Sequence, residues 1–412
     1  MTPDTKKLVF VTNVVAPDKL GGLERYVREL AAELVRAGHE VTVISKRKED
    51  NQAAFEVGTD GVKIRRYSGP SKSDPLFALK YPFVIWRRVS EAIRAEVGSP
   101  KDSWERDDVI VHGHFAVPSL FLALRNYKYI YTCHAPIYKE ILGERQGSYR
   151  LPKPLQSLAV WLTKISEKIV FRKARKIITL SRFIRNEVKT VDKKSYEKVS
   201  LIPGGLQTDY FTPADVARVK FWVDPENAVP TLFTARRIVH RTGVELLVKA
   251  VPTILEDFPK LQVNIAGSGP LADSLKNLIK ELGISDSVRL LGRIPEEDLL
   301  ENYRSADIAV TPTLELEGFG LSTAEALACG TPVVVTPAGA NPEVVEGIGY
   351  NLVSDEVTPE SLAARIIELL RNPEALAQVA DKAREHTHPR FGWPVVAQKH
   401  EEIYETFQQV KK

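Results

Sequence analysis

Two carboxylates, Glu317 and Glu325, stand eight residues apart on either side of a Gly-Phe-Gly turn. Short apolar runs at 307–312 and 331–335 flank this segment, which is typical of buried strands in a parallel sheet. The order is therefore strand, glycine turn, helix, strand. It places backbone N–H groups at a helix N-terminus, where hydrogen bonds and the helix dipole both favour a phosphate. Carboxylates on either side can accept hydrogen bonds from hydroxyls, so the pattern suits a nucleotide-sugar, which has a ribose, a diphosphate and a sugar.

The same segment also allows a purely structural interpretation. Ser322 and Glu325 fit a capping box, in which the glutamate satisfies backbone donors at the start of a helix. Glu317 alone fits a solvated loop residue. The glycines and the flanking strands favour the binding interpretation when the whole segment is considered.

Length and composition bound the class of protein. A chain of 412 residues exceeds one ordinary hydrophobic core, so two domains are expected. Its 43% apolar and 27% charged residues are typical of a folded globular protein. The short apolar run near the N-terminus predicts a first strand rather than a signal peptide, and no apolar run reaches the roughly 20 residues of a membrane span. Cys133 and Cys329 are far apart, which argues against a disulfide framework or zinc site and favours a cytoplasmic location.

The net charge of +4 is small, but basic residues concentrate in one segment. Between Lys139 and Lys198 there are 16 lysines and arginines against 6 aspartates and glutamates. This segment fits the solvated face of helices, a site for an anionic acceptor, or a peripheral contact with an anionic membrane surface. The aromatic and basic run 76–88 points to the membrane contact as well. Nucleic acid is not expected as a partner, because no recognition motif accompanies the charge.

Strand and helix patterns alternate in two consecutive series. The first opens with a strand at Leu8–Val15, a loop ending at Gly21 and Gly22, and an amphipathic helix whose C-terminal cap fits Gly38. Further strands of this series are predicted at 39–45, 108–111, 129–132, 174–181 and 198–203. The second series has predicted strands at 231–235, 261–267 and 288–292, and helices from 244, 270 and 296. Two such series predict two Rossmann-like domains with a hinge near Gly204 and Gly205.

Several spaced segments, in order, resemble the retaining glycosyltransferases of family 4. They are the E-x7-E motif at 317–325, the helix and strand at 21–43, the linker at 202–213, the turns at 266–271 and 291–295, and the loop at 337–343. The resemblance covers nearly the whole chain and implies the GT-B fold, which is α/β with two facing Rossmann-like domains and an interdomain cleft. The implied acceptor-side domain is 1–205, the implied nucleotide-sugar domain is 206–390, and the last helix, at 391–412, is expected to pack back on the first domain.

The resemblance also assigns residues to the donor's diphosphate. The family places an arginine after a strand and a lysine five residues later on this group. Arg237 matches the arginine, but Thr242 stands at the lysine position, with Arg241 as the expected substitute. The glycine turn should complete the cradle through Gly318 and the backbone amides of Phe319, Gly320 and Leu321. No D-x-D motif occurs in the sequence, so we expect no metal and no cofactor, with cations and amides holding the leaving group.

The remaining matches concern the ribose, the sugar and the base. Glu325 matches the ribose-binding carboxylate, and Glu317 matches the carboxylate facing the transferred sugar, as either a nucleophile or an electrostatic stabiliser. His134 follows a predicted strand end and matches the family's histidine on the donor sugar. His112 and His114 are interpreted as structural or cleft-lining, with contact to the acceptor as the alternative. The other expected donor-binding residues are Gly21, Gly22, Gly267, Arg293 and Ile294.

The sequence therefore predicts a retaining hexosyltransferase that uses a UDP- or GDP-sugar and a hydroxyl acceptor on a glycan, glycolipid or small molecule. Same-face attack, with the leaving phosphate taking the acceptor's proton, is the favoured mechanism. One alternative is a sugar-nucleotide epimerase of the same fold, although such enzymes lack the E-x7-E pattern. Another is a non-catalytic sugar-nucleotide-binding protein, which the intact Glu317, Glu325 and Arg237 disfavour.

Overall fold

The chain forms two compact units. The computed structural model describes residues 5–19, 21–49, 51–69, 77–143, 153–213 and 219–408. Unit 1 consists of Met1–Tyr138, Pro154–Gly205 and Trp393–Lys412, and unit 2 consists of Lys139–Lys153 and Leu206–Gly392. Within the described ranges, no helix combines the length and apolar character needed to cross a membrane.

Strands and helices alternate along the described residues. The strands are β1 Lys7–Val11, β2 Glu40–Lys46, β3 Phe55–Val57, β4 Lys63–Tyr67, β5 Val109–Gly113, β6 Ile130–Cys133, β7 Lys176–Thr179, β8 Val199–Leu201, β9 Thr231–Ala235, β10 Gln262–Ala266, β11 Val288–Gly292, β12 Ile308–Thr311 and β13 Val333–Val335. The helices are α1 Gly22–Arg36, α2 Phe77–Val97, α3 Asp102–Glu105, α4 Ala116–Leu124, α5 Ile137–Gly143, α6 Lys153–Lys173, α7 Arg182–Val191, α8 Val244–Asp257, α9 Ala272–Glu281, α10 Glu296–Ser305, α11 Leu321–Ala328, α12 Asn341–Val345, α13 Pro359–Leu370, α14 Pro373–Phe391 and α15 Trp393–Gln408.

Unit 1 is built on an eight-stranded sheet in the order β3-β4-β2-β1-β5-β6-β7-β8. Neighbouring strands are parallel, except that β3 and β4 are antiparallel. The apolar residues of β1 from Leu8 to Val11 are fully buried, as expected for a strand covered on both faces. Right-handed crossovers put α1 on one face of the sheet and α2, α4 and α6 on the other. The rings of Trp86 in α2 and Phe121 in α4 lie 5.0 Å apart, in agreement with this arrangement.

The C-terminal helix α15 is part of unit 1 and packs against α1. Nε1 of Trp393 donates a hydrogen bond to Oε2 of Glu29 at 2.6 Å. The Trp393 ring also meets the edge of the Tyr26 ring at 5.3 Å between centroids. Further along, Nε2 of His39 lies 3.0 Å from Oε1 of Glu401. Aromatic packing and these polar contacts therefore hold the last helix on the face of the sheet that α1 covers.

Unit 2 is built on a five-stranded parallel sheet in the order β11-β10-β9-β12-β13. Strand β9 is central, and its Leu232 and Phe233 are fully buried. Because all neighbouring strands are parallel, their carboxyl ends meet at one edge, where ligands of such sheets bind. The loops that gather at this edge are 236–243, 267–271, 293–295, 312–320 and 336–340.

The predicted bounds of the strands in both series agree with the structure to within two residues, apart from two larger differences in the first series. Strands β9 and β11 have the predicted bounds, and α8 begins at the predicted residue. Strand β1 ends at Val11 rather than at the predicted Val15. Val14 and Val15 remain buried after the chain has left the sheet, so the apolar pattern continues beyond the strand.

The sequence pattern did not predict strands β3 and β4, because the segment that forms β4 carries three charged residues. One of these, Arg66, is buried in the structure. Its guanidinium donates to both carboxylate oxygens of Asp18, at 2.6 and 3.0 Å, and to Oε1 of Glu56 at 2.8 Å. The two carboxylates compensate the buried charge, which a pattern of apolar residues does not reveal.

Candidate functional site

In unit 2, the loops after β9 and β12 bring an arginine and a glutamate into contact. Nη2 of Arg236 donates a hydrogen bond to Oε2 of Glu317 at 2.5 Å, and Nη1 lies 3.4 Å from Oγ of Ser322. The side chain of Arg236 is 5% exposed and that of Glu317 is 20% exposed. Nε of Arg236 is buried and has no hydrogen-bond partner among the described residues. The guanidinium is therefore fixed by Glu317, with its charge held at the start of the segment that follows the glycine turn.

The glycine turn after Glu317 leads directly into α11. Gly320 is the N-cap residue of this helix, and its φ of 96° lies in the left-handed region that favours glycine. A Cβ at this position would also collide with Oδ1 of Asn341. No side chain caps the helix. Because the first N–H groups of an α-helix have no acceptor within the helix, the turn can present them to an anion.

Glu325 lies inside α11 and is 5% exposed. One of its oxygens accepts a hydrogen bond from the hydroxyl of Tyr303 at 3.2 Å. Burial and the Glu325 carboxylate raise the pKa of Tyr303, and they raise the pKa of Cys329 to about 12. The capping-box interpretation is wrong, since Gly320 is the N-cap residue and Ser322 is the second residue of the helix.

The other basic residues of the loop after β9 occupy different environments. Arg237 is exposed, whereas Arg241 is half-buried and donates from Nη1 to the carbonyl oxygen of Leu316 at 2.9 Å. The roles predicted for Arg237 and Arg241 at a diphosphate remain predictions. The arginine that contacts Glu317 is Arg236, one position earlier than the residue that the family pattern matches. A sequence does not distinguish between two adjacent arginines at a strand end. Which of them contacts Glu317 is set by the direction of the backbone in the loop.

Thr242 stands where the family pattern has a lysine, and it is buried. Its hydroxyl lies 2.7 Å from the carbonyl oxygens of both Arg237 and Val239. The hydroxyl therefore forms a short hydrogen bond within its own loop, a contact that a lysine side chain cannot make in the same way. The loop is anchored further by the N–H of Leu314, which donates to the carbonyl of Arg241 at 2.9 Å.

The turns after β10 and β11 lie at the same edge of the unit 2 sheet. Gly267 has a φ of 137°, and a Cβ there would collide with the carbonyl of Arg236. Glycine therefore allows this turn to pass directly against the arginine loop. The N–H of Gly267 donates to the carbonyl of Gly292 at 2.7 Å. Arg293 is exposed and Ile294 is half-buried immediately beyond β11, so the predicted base-side turn is connected to Arg236 through backbone contacts.

A buried polar network, which sequence analysis did not identify, supports the Glu317 loop. Asn341 donates from Nδ2 to Oγ1 of Thr313 at 2.8 Å and accepts from Oγ1 of Thr323 at 3.0 Å. Oγ1 of Thr336 donates to the carbonyl of Thr313 at 2.5 Å. All four side chains are fully buried. The network ties the loops after β12 and β13 to the first turn of α11, and its only sequence signal is threonine at successive strand ends.

In unit 1, four histidines lie together beside the carboxyl ends of β5 and β6. Nδ1 of His114 is 3.3 Å from Nε2 of His134, and the ring of Tyr26 meets that of His134 edge-on at 4.8 Å. The hydroxyl of Tyr26 is 3.1 Å from Nε2 of His400, on α15. His112 is fully buried with hydrogen bonds at both ring nitrogens, in agreement with a structural role.

Burial, together with mutual repulsion, depresses the basicity of these histidines. The pKa of His134 falls to about 3 and that of His400 to about 4, and the pKa values of His112 and His114 are lowered as well. All four rings are therefore neutral at pH 7, and each can donate one hydrogen bond and accept another. Nε2 of His114 is buried without a partner in the described part of the chain.

The predicted glycine loop of unit 1 lies at the start of α1. Gly21 is the N-cap residue, in extended conformation, and both Gly21 and Gly22 are exposed. Glu24 occupies the first turn and pairs with Nζ of Lys19 at 2.5 Å. An acidic side chain therefore already interacts with the positive end of this helix. The approach of this loop to a diphosphate remains a prediction.

Two family models match the chain in succession. Residues 20–210 match Glycosyltransferase Family 4, and residues 220–386 match Glycosyl transferases group 1. A D-inositol 3-phosphate glycosyltransferase of Kineococcus radiotolerans is 28% identical, over 93% of this chain and 90% of its own length. The chain belongs to glycosyltransferase family 4, and it is a glycosyltransferase.

Solved structures of other proteins show the same fold. Sucrose-phosphate synthase from Thermosynechococcus elongatus matches with a TM-score of 0.75 at 21% identity, covering 97% of this chain and 98% of its own. The structure of Anabaena HepE in complex with UDP and glucose matches with a TM-score of 0.73 at 17% identity, covering 97% of this chain and all of its own. The predicted α/β fold of the GT-B type is thereby confirmed.

Proposed function

We propose that this glycosyltransferase transfers a hexose from a UDP- or GDP-sugar to a hydroxyl acceptor with retention of anomeric configuration. The observation that carries the proposal is the contact between Arg236 and Glu317 at the uncapped start of α11. It combines a fixed cation, a helix N-terminus and a carboxylate within one loop system. These are the groups that a leaving diphosphate and an adjacent sugar require.

Breaking the bond between the sugar and the diphosphate leaves negative charge on the phosphate. Fixed donors aimed at such a charge are usually the largest catalytic contribution. Arg236 is held nearly out of solvent beside the start of α11, where its positive charge is weakly screened. The backbone amides of Phe319, Gly320 and Leu321 add donors at the start of α11, and Arg237 and Arg241 add positive charge nearby.

In the proposed reaction, the anomeric C–O bond to the diphosphate breaks and the acceptor oxygen bonds to the same face of that carbon. The acceptor's proton passes to the leaving phosphate oxygen. Glu317 acts as an electrostatic stabiliser of the positive charge that builds on the sugar ring. Because the proposed same-face attack forms no covalent bond between the sugar and the protein, it requires no nucleophile, and Arg236 holds the Glu317 carboxylate in place by its ion pair.

The remaining contacts assign the other parts of the donor. Glu325, oriented by Tyr303, accepts hydrogen bonds from the ribose hydroxyls. The backbone at Arg293 and Ile294 pairs with the base, and Gly267 lets its turn approach the nucleotide. His134 is neutral, which suits a hydrogen bond to a sugar hydroxyl without adding charge beside the anomeric carbon. Gly21 and Gly22 are proposed to approach the diphosphate from unit 1.

Charge neutralisation by arginine and amides leads us to propose that no metal and no further cofactor takes part. The structure of HepE, which shares the fold, is described as a complex with UDP and glucose, which supports a nucleoside-diphosphate sugar as the donor. The acceptor is a hydroxyl of a glycan, a glycolipid or a small molecule. A cytoplasmic location is part of the same proposal.

A panel of nucleotide-sugars tests this function. The protein is incubated with each donor, with and without a set of hydroxyl acceptors, and released UDP or GDP is measured together with the anomeric configuration of the product. Nucleotide release that depends on acceptor, with a retained configuration, is the expected result. An altered sugar-nucleotide without release would instead identify an epimerase. Tight binding without turnover for any donor would identify a non-catalytic binding protein.

A further inference from the structure

Helix α6 has apolar side chains on two opposite sides. On its inner side, Val170 and Phe171 are fully buried, together with the carboxylate-bearing Glu167. On its outer side, four large apolar residues recur at i, i+3, i+4 and i+7 and form a stripe exposed to solvent. They are Leu158, Trp161, Leu162 and Ile165, with exposures of 50%, 59%, 50% and 37%. Single exposed apolar residues are ordinary, but a contiguous stripe of this kind marks a surface for interaction.

The exposed charged side chains of α6 between 157 and 173 are all positive. Lys164 is exposed and Lys168 half-exposed along one flank, and Arg172 and Lys173 are exposed at the end of the helix. Between 157 and 173 the one acidic residue is Glu167, which is fully buried and accepts the N–H of Ile137 at 2.6 Å. We call the set Leu158, Trp161, Leu162, Lys164, Ile165 and Lys168 the α6 face.

Helix α2 also carries an exposed apolar ring beside basic residues, on the same side of the unit 1 sheet. Phe83 is 74% exposed, and the side chains of Arg87 and Arg88 are 80% and 55% exposed. Both arginines pair with Glu91, at 2.9 and 3.2 Å, so these three charged residues leave one net positive charge. Residue 76 and the side chains of 77–82, which complete the predicted aromatic and basic run, lie outside the described residues, as do residues 144–152 of the predicted basic segment. Right-handed crossovers place α2 and α6 on one face of the sheet. Apolar and basic groups therefore lie together on this side of unit 1.

We propose that the α6 face docks on an anionic lipid bilayer. Trp161 would sit at headgroup level, the aliphatic side chains beside it would enter the boundary with the acyl chains, and the lysines would meet anionic headgroups. The lack of an exposed acid on α6 favours this partner over a second copy of the chain. A two-fold contact through the same surface would bring Lys164 and Lys168 of both copies together with no carboxylate of α6 to offset them.

Vesicle binding of the full-length protein tests the proposal, without any nucleotide-sugar, so its outcome is independent of the proposed reaction. Sedimentation is measured with vesicles of pure phosphatidylcholine and with vesicles containing phosphatidylglycerol. The expected result is binding to the anionic vesicles that weakens as salt rises, because salt screens the attraction. Absent binding, or equal binding to both kinds of vesicle, would overturn the proposal.

Matched variants locate the contact. Replacing Trp161 and Leu162 together by serine should weaken binding to anionic vesicles about tenfold or more, because two apolar side chains no longer leave water. Replacing Val223 and Leu282, which are also exposed but lie in unit 2, is the control and should leave binding unchanged. Lys164→Glu should weaken binding about fivefold, while Lys276→Glu, an exposed control in unit 2, should not.

The same variants distinguish a second copy of the chain as the partner. If the protein is dimeric in sedimentation velocity and the change at Trp161 and Leu162 makes it monomeric, the stripe is an interface between copies and the lipid proposal is wrong. Unchanged vesicle binding in this variant would also contradict it. All variants alter exposed side chains, so unchanged thermal unfolding is the expected check on folding.

Discussion

The charged site of unit 2 and the histidine cluster of unit 1 differ in how their buried polar groups are stabilised. In unit 2, Arg236 and Glu317 form a short ion pair, so each charged group lies beside its counter-charge. In unit 1, the rings of His112, His114 and His134 carry no counter-charge and are kept neutral by burial. The first arrangement suits a phosphate, whose charge changes during reaction. The second suits hydroxyl groups, which need hydrogen bonds and no added charge.

The difference also lies in how each site is supported. The unit 2 site rests on backbone-linked loops and on the network of Thr313, Thr323, Thr336 and Asn341, which fixes the loop carrying Glu317. The unit 1 cluster rests on ring packing with Tyr26 and on α15. We therefore expect substitutions in unit 2 to affect catalysis first, and changes in unit 1 to affect stability and its dependence on pH.

The largest effect is expected from removing the cation beside Glu317. Arg236→Ala should lower kcat/KM about a hundredfold, roughly 3 kcal/mol, because one fixed donor to the developing phosphate charge is lost. Arg237→Ala is the matched control, since Arg237 is adjacent but exposed, and it should cost clearly less. Steady-state kinetics of both variants decides between them. A greater loss in Arg237→Ala would show that the family match, and not the contact with Glu317, identifies the diphosphate arginine.

Acid should destabilise the protein through the histidines of unit 1. The pKa of His400 is lowered from 6.5 to about 4 in the folded protein, so the unfolded chain binds the proton more tightly. The contribution of His400 to the free energy of unfolding is therefore complete above pH 6.5 and is lost as the pH falls towards about 4. Its size is on the order of 3 kcal/mol.

Urea unfolding measured between pH 7.5 and 4.5 checks this dependence. His400→Gln should unfold more easily at pH 7.5 and should show a smaller decrease in stability with falling pH than the parent protein. His388→Gln, which changes an exposed histidine, serves as the control and should keep the parent's dependence. Identical slopes in all three proteins would contradict the buried, neutral state of His400.

The sequence predicted the strands and helices whose apolar residues recur periodically. It did not predict features that depend on contacts between residues distant in sequence. The alternation around β9, α8 and β11 follows from apolar periodicity, and the glycine turn before α11 follows from Gly320, so these were predictable. Which of Arg236 and Arg237 contacts Glu317 depends on the backbone conformation of the loop, and no local sequence pattern predicts that conformation. The buried hydrogen bonds of Asn341 and the burial of Arg66 depend on residues distant in sequence.

A smaller effect is expected at Thr242, where the family pattern has a lysine. Thr242→Val keeps the shape of the side chain but removes the hydroxyl that lies 2.7 Å from the carbonyls of Arg237 and Val239. The free energy of unfolding should fall by about 1 kcal/mol, since the hydrogen bond of the hydroxyl within the loop is lost, while the Val239 carbonyl keeps the N–H of Thr242 at 3.2 Å. Chemical denaturation measures this change. A kcat/KM that falls as far as in Arg236→Ala would show instead that Thr242 acts directly on the donor.

No effect is expected from chelation, because arginine and backbone amides are proposed to neutralise the diphosphate. Turnover should be the same with and without EDTA, once the donor and acceptor are known. Complete loss of activity that Mg²⁺ or Mn²⁺ restores would contradict binding of the diphosphate without a metal. If an equal concentration of salt causes the same partial loss of activity, that loss is an ionic-strength effect on Arg236 and does not contradict the proposal.

The central claim is that Glu325 binds the ribose of the donor and Glu317 faces its sugar, both from one loop and helix of unit 2. Calorimetric titration with bare UDP and GDP tests this claim most directly. Glu325→Ala should bind the nucleotide at least tenfold more weakly, because the ribose contact is present in the nucleotide as well as in the donor. Glu317→Ala should bind it as well as the parent or better, since Arg236 is then released to the diphosphate, while kcat falls. Normal nucleotide binding by Glu325→Ala, with loss of thermal stability alone, would show that Glu325 only supports Tyr303 and would contradict the account.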